Sequence, residues 1–185
     1  MPFFPTAIPD LLLFEPKVFA DERGHFFESF NRQVFAEQGI HPDFVQDNQA
    51  YSQYGVVRGL HYQIPPFGQA KLVRVLEGEV LDIALDIRPD SPTYGRWYGV
   101  TLSAENRRQL YIPRGFAHGY SVLSPTATFF YKCDNFYSRK HEGGISYDDP
   151  GLQIDWGLPP EDIVLSEKDR QLPAFGQHRA YREER

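Results

Sequence analysis

Residues 79–88 read EVLDIALDIR, and they alternate without a break. Leu81, Ile83, Leu85 and Ile87 fall on one set of alternate positions, and Asp82, Ala84 and Asp86 fall on the other. Successive side chains of a strand point to opposite faces, whereas a helix would need apolar residues three and four apart. The stretch therefore predicts a strand with one apolar face, its aspartates marking a polar or solvent face. Outward from it, VVRGLHYQ (56–63), AKLVRVL (70–76), WYGVTLS (97–103), RQLYIP (108–113), HGYSVLS (118–124) and ATFFYKCD (127–134) have similar strand-like composition. Turn signals such as EG (77–78), RPDSPTYG (88–95) and SAEN (103–106) separate them. Short strands at this spacing indicate a sandwich or barrel. One helix is predicted, Asn31 to Gln38, with Ser29 or Asn31 as cap and Gly39 as stop. A closing helix or turn is expected over SEKDRQLP (166–173).

The bulk composition agrees. At 185 residues, with no linker, low-complexity stretch or long repeat, one domain across residues 1–185 is expected. Aromatics at 15% and fifteen prolines favour a turn-rich β domain over a helical bundle. The net charge of −6 argues against nucleic acid as the main partner, because phosphate backbones need a basic surface. Local basic groups remain free to hold a small anion. Cys133 is the single cysteine, which excludes an intramolecular disulfide, fits a reducing compartment and reads as a small strand residue. The LLLF run at 11–14 lacks preceding basic residues and is too short for a signal core or a membrane span. A cytoplasmic protein without a membrane partner is the expectation.

The chemistry centres on His61 in VRGLHYQ, which can be a metal ligand, a proton carrier or a packed core imidazole. A metal needs at least three converging ligands. The small barrels called cupins usually supply a His-x-His pair, a following glutamate and a histidine in a later strand. Here His61 is followed by Tyr62 and Gln63, and Lys71 occupies the region of the acidic ligand. The later half survives as Pro113-x-Gly115-x-x-His118, so the layout resembles a cupin without its metal. Arg58 and Lys71 nearby call for an anionic partner, which a small-molecule anion entering a barrel mouth would supply. Strict alternation, however, puts Arg58 and His61 on opposite faces unless Gly59 marks a bulge. A histidine acting as base also wants a carboxylate on its other nitrogen, and Asp82, Asp86 and Asp169 are all candidates.

The ordered blocks FEPKVFADERGHFFESFN, FVQDNQ, VVRGLHYQ, AKLVRVLEGEV, DIRPDSPTYGRW, LSAENRRQLYIPRGFAHGYSVLS, FFYKCDNFYS, HEGGISYDDP and LSEKDRQLP run from about residue 10 to 175. Together they resemble the dTDP-4-dehydrorhamnose 3,5-epimerases. The resemblance implies an all-β, cupin-type double-stranded β-helix (jelly-roll) barrel with a few short peripheral helices, residues 176–185 forming a peripheral or disordered tail. It implies no cofactor, no metal and a homodimer. Its substrate would be dTDP-4-dehydro-6-deoxyglucose, epimerised at C3 and C5. Carried over by motif, His61 is the base, Asp169 its partner, Tyr131 the general acid and Lys71 the cation beside the enolate oxygen. Substrate contacts fall on Arg23, Glu28, Gln46, Asp47, Asn48, Arg58, His118, Glu142 and Lys168, with Tyr137 stacking on the thymine. The alternatives are an epimerase acting at one carbon, a metal-dependent cupin enzyme and a sugar-nucleotide binding module without activity.

Overall fold

A computed structural model of the chain describes residues 3–41 and 43–182. Thirteen strands, two short α-helices and two 3-10 turns make up the regular structure of the described residues. The N-terminal strands are β1 (Phe3–Pro5), β2 (Leu12–Phe14), β3 (Val18–Asp21) and β4 (Gly24–Phe27), followed by α1 (Arg32–Ala36). The central run is β5 (Gln46–Gln53), β6 (Val57–Gln63), β7 (Lys71–Glu77), β8 (Glu79–Asp86) and β9 (Trp97–Ser103). Then come β10 (Gln109–Ile112), β11 (Phe116–Val122), β12 (Thr126–Cys133), β13 (Glu142–Gly144) and α2 (Glu167–Arg170). A six-stranded sheet in the order β1-β2-β10-β7-β12-β5 faces a five-stranded sheet in the order β13-β6-β11-β8-β9. Neighbours in both sheets pair antiparallel. Consecutive strands repeatedly cross between the sheets, which produces the jelly-roll barrel expected from the motifs. The ribbon β3–β4 stands apart from both sheets.

The β8 strand shows how the layers form. Ile83, Leu85 and Ile87 are fully buried, yet not between the two sheets. They pack with Val57, Leu60, Tyr62, Ile145, Leu152, Trp156 and Tyr181, so the chain from 145 to 181 covers the outer face of the five-stranded sheet. The other face of β8 adds Val80 and Ala84 to the core between the sheets, with Val73, Val75, Leu110, Ile112, Val122 and Phe129. The aspartates expected on a solvent face are buried with it, Asp82 and Asp86 both at 0% exposure. Asp86 is satisfied by Arg88, Ser91 and Thr93, which give it four side-chain hydrogen bonds of 2.6–3.0 Å. A buried carboxylate is costly unless paired this completely. Both faces of β8 are interior because a second layer lies over the sheet, and alternation alone carries no sign of that layer.

Elsewhere the differences are local. The first helix begins one residue later than predicted because Asn31 is its cap, its side chain accepting from the N–H groups of Gln33 and Val34. It ends at Ala36, two residues before Gln38. The SEKD segment forms α2, capped by Ser166. The tail expected to be peripheral is exposed at most of its described positions, but two side chains anchor it: Tyr181 is 4% and His178 9% exposed. Residues 183–185 lie outside the described residues. No helix among the described residues is long and apolar enough to cross a membrane.

Candidate active site

The two sheets enclose a cavity of about 520 Å³ that opens at one end of the barrel. The six-stranded sheet supplies one wall. Gln46, Asn48 and Ala50 enter it from β5, Lys71 from β7, and Phe129 and Tyr131 from β12. The five-stranded sheet supplies the facing wall, with Arg58 and His61 from β6, His118, Gly119 and Tyr120 from β11, and Glu142 from β13. The exposed Tyr137 and Lys168 form the mouth, and Ser166 and the buried Asp169 complete the lining.

Arg58 and His61 share the cavity because β6 carries one extra residue there. His118 pairs with His61 and Tyr120 pairs with Arg58, so two steps along β11 match three along β6. That is a β-bulge. It restores Arg58 to the inner face while Val57, Leu60 and Tyr62 stay in the outer apolar layer. Glycine is required on both sides of it. Gly59 has φ +118°, and a Cβ there would come within 2.6 Å of the Gly119 Cα; one on Gly119 would come within 2.6 Å of the Arg58 carbonyl oxygen. Arg58 is exposed at the mouth rather than buried, with Nε donating to the Ser52 hydroxyl at 3.1 Å.

Asp169 is the partner of His61. Its Oδ1 lies 2.6 Å from His61 Nε2, and its side chain is only 5% exposed against 32% for the imidazole. Burial works to raise the Asp169 carboxyl, but His61, Ser166 and the Gly59 backbone N–H outweigh it and hold it below the ordinary range. An ionised Asp169 selects the tautomer protonated on Nε2 and leaves Nδ1 as the acceptor. Asp82 instead serves a second pair: its Oδ2 lies 2.9 Å from His118 Nε2, both side chains being buried. Burial lowers the His118 pKa, with Asp82 opposing it, so this imidazole is biased towards neutrality.

Across the cavity, burial pushes the Tyr131 phenol up to about 12, with smaller contributions from Cys133 and Tyr120. Lys71 Nζ sits 5.8 Å from the centre of the Tyr131 ring. Burial lowers the Lys71 pKa, against the pull of Cys133 and Asp82. Cys133 itself is buried and accepts weakly from Asn48 at 3.7 Å. No group of three or more His, Cys, Asp and Glu among the described residues converges as metal ligands would.

Of the predicted site residues, His61, Asp169, Tyr131, Lys71, Gln46, Asn48, Arg58, His118, Tyr137, Glu142 and Lys168 line this one cavity. Three do not. Asp47 points out of the opposite face of β5 and binds Lys132 Nζ at 2.9 Å, because period two separates it from Gln46 and Asn48. Glu28 accepts from the capping Asn31 at 3.1 Å. Arg23 sits at the tip of the detached β3–β4 ribbon, paired with Asp21 at 2.6 Å. Sequence reasoning missed Tyr120, which stacks on Phe129 at 4.1 Å; its period-two relation to His118 in HGYSV was the available signal. It also missed Gln63, which bonds the Phe136 carbonyl and the Ser138 N–H and so holds the loop bearing Tyr137.

These features define a cupin-type β-barrel whose cavity carries a carboxylate-bound imidazole on one wall and an ammonium and a phenol on the other. The family model described as dTDP-4-dehydrorhamnose 3,5-epimerase matches residues 5–177, and the chain belongs to that family. A curated dTDP-4-dehydrorhamnose 3,5-epimerase from Shigella flexneri is 58% identical over 165 residues, covering 89% of this chain and 90% of its own. The crystal structure of a dTDP-4-dehydrorhamnose 3,5-epimerase from Elizabethkingia anophelis superposes with TM-score 0.93 at 52% identity, covering 95% of this chain and 97% of that one. A dTDP-6-deoxy-D-glucose-3,5-epimerase from Legionella pneumophila, in complex with dTDP-4-keto-L-rhamnose, gives 0.91 at 51% identity, covering 95% and 93%.

Proposed function

We propose that the chain epimerises dTDP-4-dehydro-6-deoxyglucose at C3 and C5 to dTDP-4-dehydro-β-L-rhamnose, a step of dTDP-L-rhamnose synthesis. The observation that carries the reading is the His61–Asp169 pair facing Tyr131 from the opposite sheet of the barrel. The C4 ketone acidifies the hydrogens on both neighbouring carbons. His61 Nδ1 removes one of them, while Asp169 orients the ring and stabilises the imidazolium. Negative charge then moves onto O4, where the Lys71 ammonium, already placed in a largely buried site, stabilises the enolate. Inversion needs the new proton on the other face of the carbon. Tyr131 is the acid on that side, and its raised pKa keeps the phenol protonated at neutral pH. Nothing in this sequence changes oxidation state, so no redox cofactor takes part.

Binding has the same layout. Arg58 and Lys168 at the mouth match the diphosphate, guanidinium groups doing so bidentately. Tyr137, 53% exposed, is the ring available to stack on thymine, a contact worth about 1–3 kcal/mol per base in single-strand binders. Gln46, Asn48, His118 and Glu142 supply polar contacts to the sugar. The reaction is expected to introduce solvent deuterium at both C3 and C5 when run in heavy water and followed by NMR. Label at one carbon only would reduce the activity to single-site epimerisation.

The protein acts in the cytoplasm, where the absence of any disulfide partner for Cys133 is no handicap. It works as a homodimer. The outer face of the six-stranded sheet exposes Tyr51 and Leu76, and the adjoining β3–β4 ribbon exposes Phe19 and Phe26. These exposed apolar side chains are the surface on which a second copy would pack. Light scattering is expected to give twice the chain mass of 21.4 kDa, and the monomer mass would refute the dimer.

A further inference from the structure

Residues beyond 177 lie outside the match to the family model. They nevertheless reach the cavity wall. Arg179 Nη1 donates to two backbone carbonyls, those of Lys140 and Glu142, at 2.8 Å each. The Arg179 carbonyl in turn accepts from the Tyr62 hydroxyl at 2.6 Å. Tyr62 is the neighbour of His61 on β6 and is 4% exposed. Two residues after Arg179, Tyr181 is buried in the outer apolar layer, and the segment before it is stacked in place, His178 against Phe175 at 5.1 Å. Arg179 is thus held at its own backbone and holds another segment with its side chain.

That other segment contains the edge strand of the wall, flanked by backbone hydrogen bonds from Ile64 to His141 and between Leu60 and Ile145. Strand β13 has three residues and sits at the edge of its sheet, paired only with β6. Short edge pairings are marginal unless something else fixes them. Its register sets Glu142 opposite Gln63 and Gly144 opposite His61. Glu142 Oε1 accepts from Lys168 Nζ at 2.7 Å, and Lys168 directly precedes Asp169 in α2. Both Glu142 and Lys168 line the cavity mouth.

We infer that Arg179 is a positioning residue for ligand binding: it fixes the edge strand bearing Glu142 and thereby sets the Glu142–Lys168 rim that receives the sugar nucleotide. The inference rests on the epimerase reading for its substrate. It separates affinity from chemistry, because α2 anchors Asp169 through Ser166 and His61 independently of Arg179. Arg179→Ala in the full chain is expected to raise the dTDP Kd in calorimetry and the substrate KM by about tenfold, with kcat within about twofold of wild type. Arg179→Lys, which retains a cationic donor, is expected to recover most of the affinity. A Kd for dTDP within about twofold of wild type in Arg179→Ala overturns the inference, whatever happens to the melting temperature. So does a loss of affinity that Arg179→Lys leaves unrelieved while its melting temperature returns to wild type. Calorimetry needs no turnover. A wild-type protein that binds dTDP but lacks epimerase activity would therefore defeat the functional reading and still leave Arg179 to be judged by Kd.

Discussion

His61→Ala lowers kcat by about 10²–10⁴-fold, the range by which a positioned acid or base contributes to proton transfer, while dTDP affinity stays near that of wild type. The separation follows from where the side chain sits. His61 lies inside the barrel against Asp169, whereas Arg58, Tyr137 and Lys168 gather at the mouth. Deleting the ring also strands a carboxylate that is 5% exposed, a change that destabilises in its own right. His61→Gln is the sharper variant for that reason, since its amide extends as far as Nε2 and can still donate to Asp169 while offering no base. Steady-state kinetics, calorimetry with dTDP and a melting curve on both variants decide the matter. Parallel loss of turnover and dTDP binding in His61→Gln would make His61 a structural residue and remove the proposed base.

Lys71→Met is the second large effect, with kcat falling by about 10²–10³-fold, the cost of removing one preorganised group that stabilises an oxyanion. The pH profile gives this prediction a direction. Burial lowers the Lys71 pKa from its ordinary 10.5, so its ammonium is lost at a lower pH than that of a free lysine. Tyr131, pushed up to about 12, still holds its proton there. A group that must be protonated and whose pKa is depressed supports activity below that pKa, and activity is lost as pH rises through it. The alkaline limb of kcat is therefore expected to follow Lys71 and to lie below that of a free lysine. Lys71→Arg, which keeps its charge across the whole range, shifts that limb upward. An unchanged limb in Lys71→Arg would assign it to another group.

Much of the barrel was legible because strands with a buried face advertise their period. EVLDIALDIR, AKLVRVL and WYGVTLS became β8, β7 and β9 almost to the residue. QDNQAYSQ escaped notice as β5 because the face it buries lines a polar cavity, so glutamine and asparagine stand where a core strand would carry valine. The second layer escaped for a different reason. Residues that pack on the outside of a sheet are far away in the chain, as Ile145, Leu152 and Trp156 are from β8, and period two records only that a face is apolar. In the site, residue types pointed to His61 and Lys71 and left Asp82, Asp86 and Asp169 open as partners, while the blocks of the family resemblance added Tyr131 and selected Asp169. Asp82 went to His118, Asp86 to Arg88 and Asp169 to His61. Arg23, Glu28 and Asp47 lie outside this chain's cavity, and of these placements only that of Asp47, on the other face of β5 from Gln46 and Asn48, follows from period two.

The bulge at Gly59 behaves as a change of reading frame written into the backbone. Upstream of it, strand β6 assigns odd-numbered positions such as Val57 to the apolar layer; downstream, even-numbered ones such as Leu60 and Tyr62 go there. Pairing Gly59 as an ordinary strand residue, with the His61 side of the strand preserved, would exchange the places of the two residues before it. The Arg58 guanidinium would be driven in among Ile83, Leu85 and Trp156, and Val57 would be turned into the cavity. A residue without a side chain thus decides which neighbour meets oil and which meets the polar cavity.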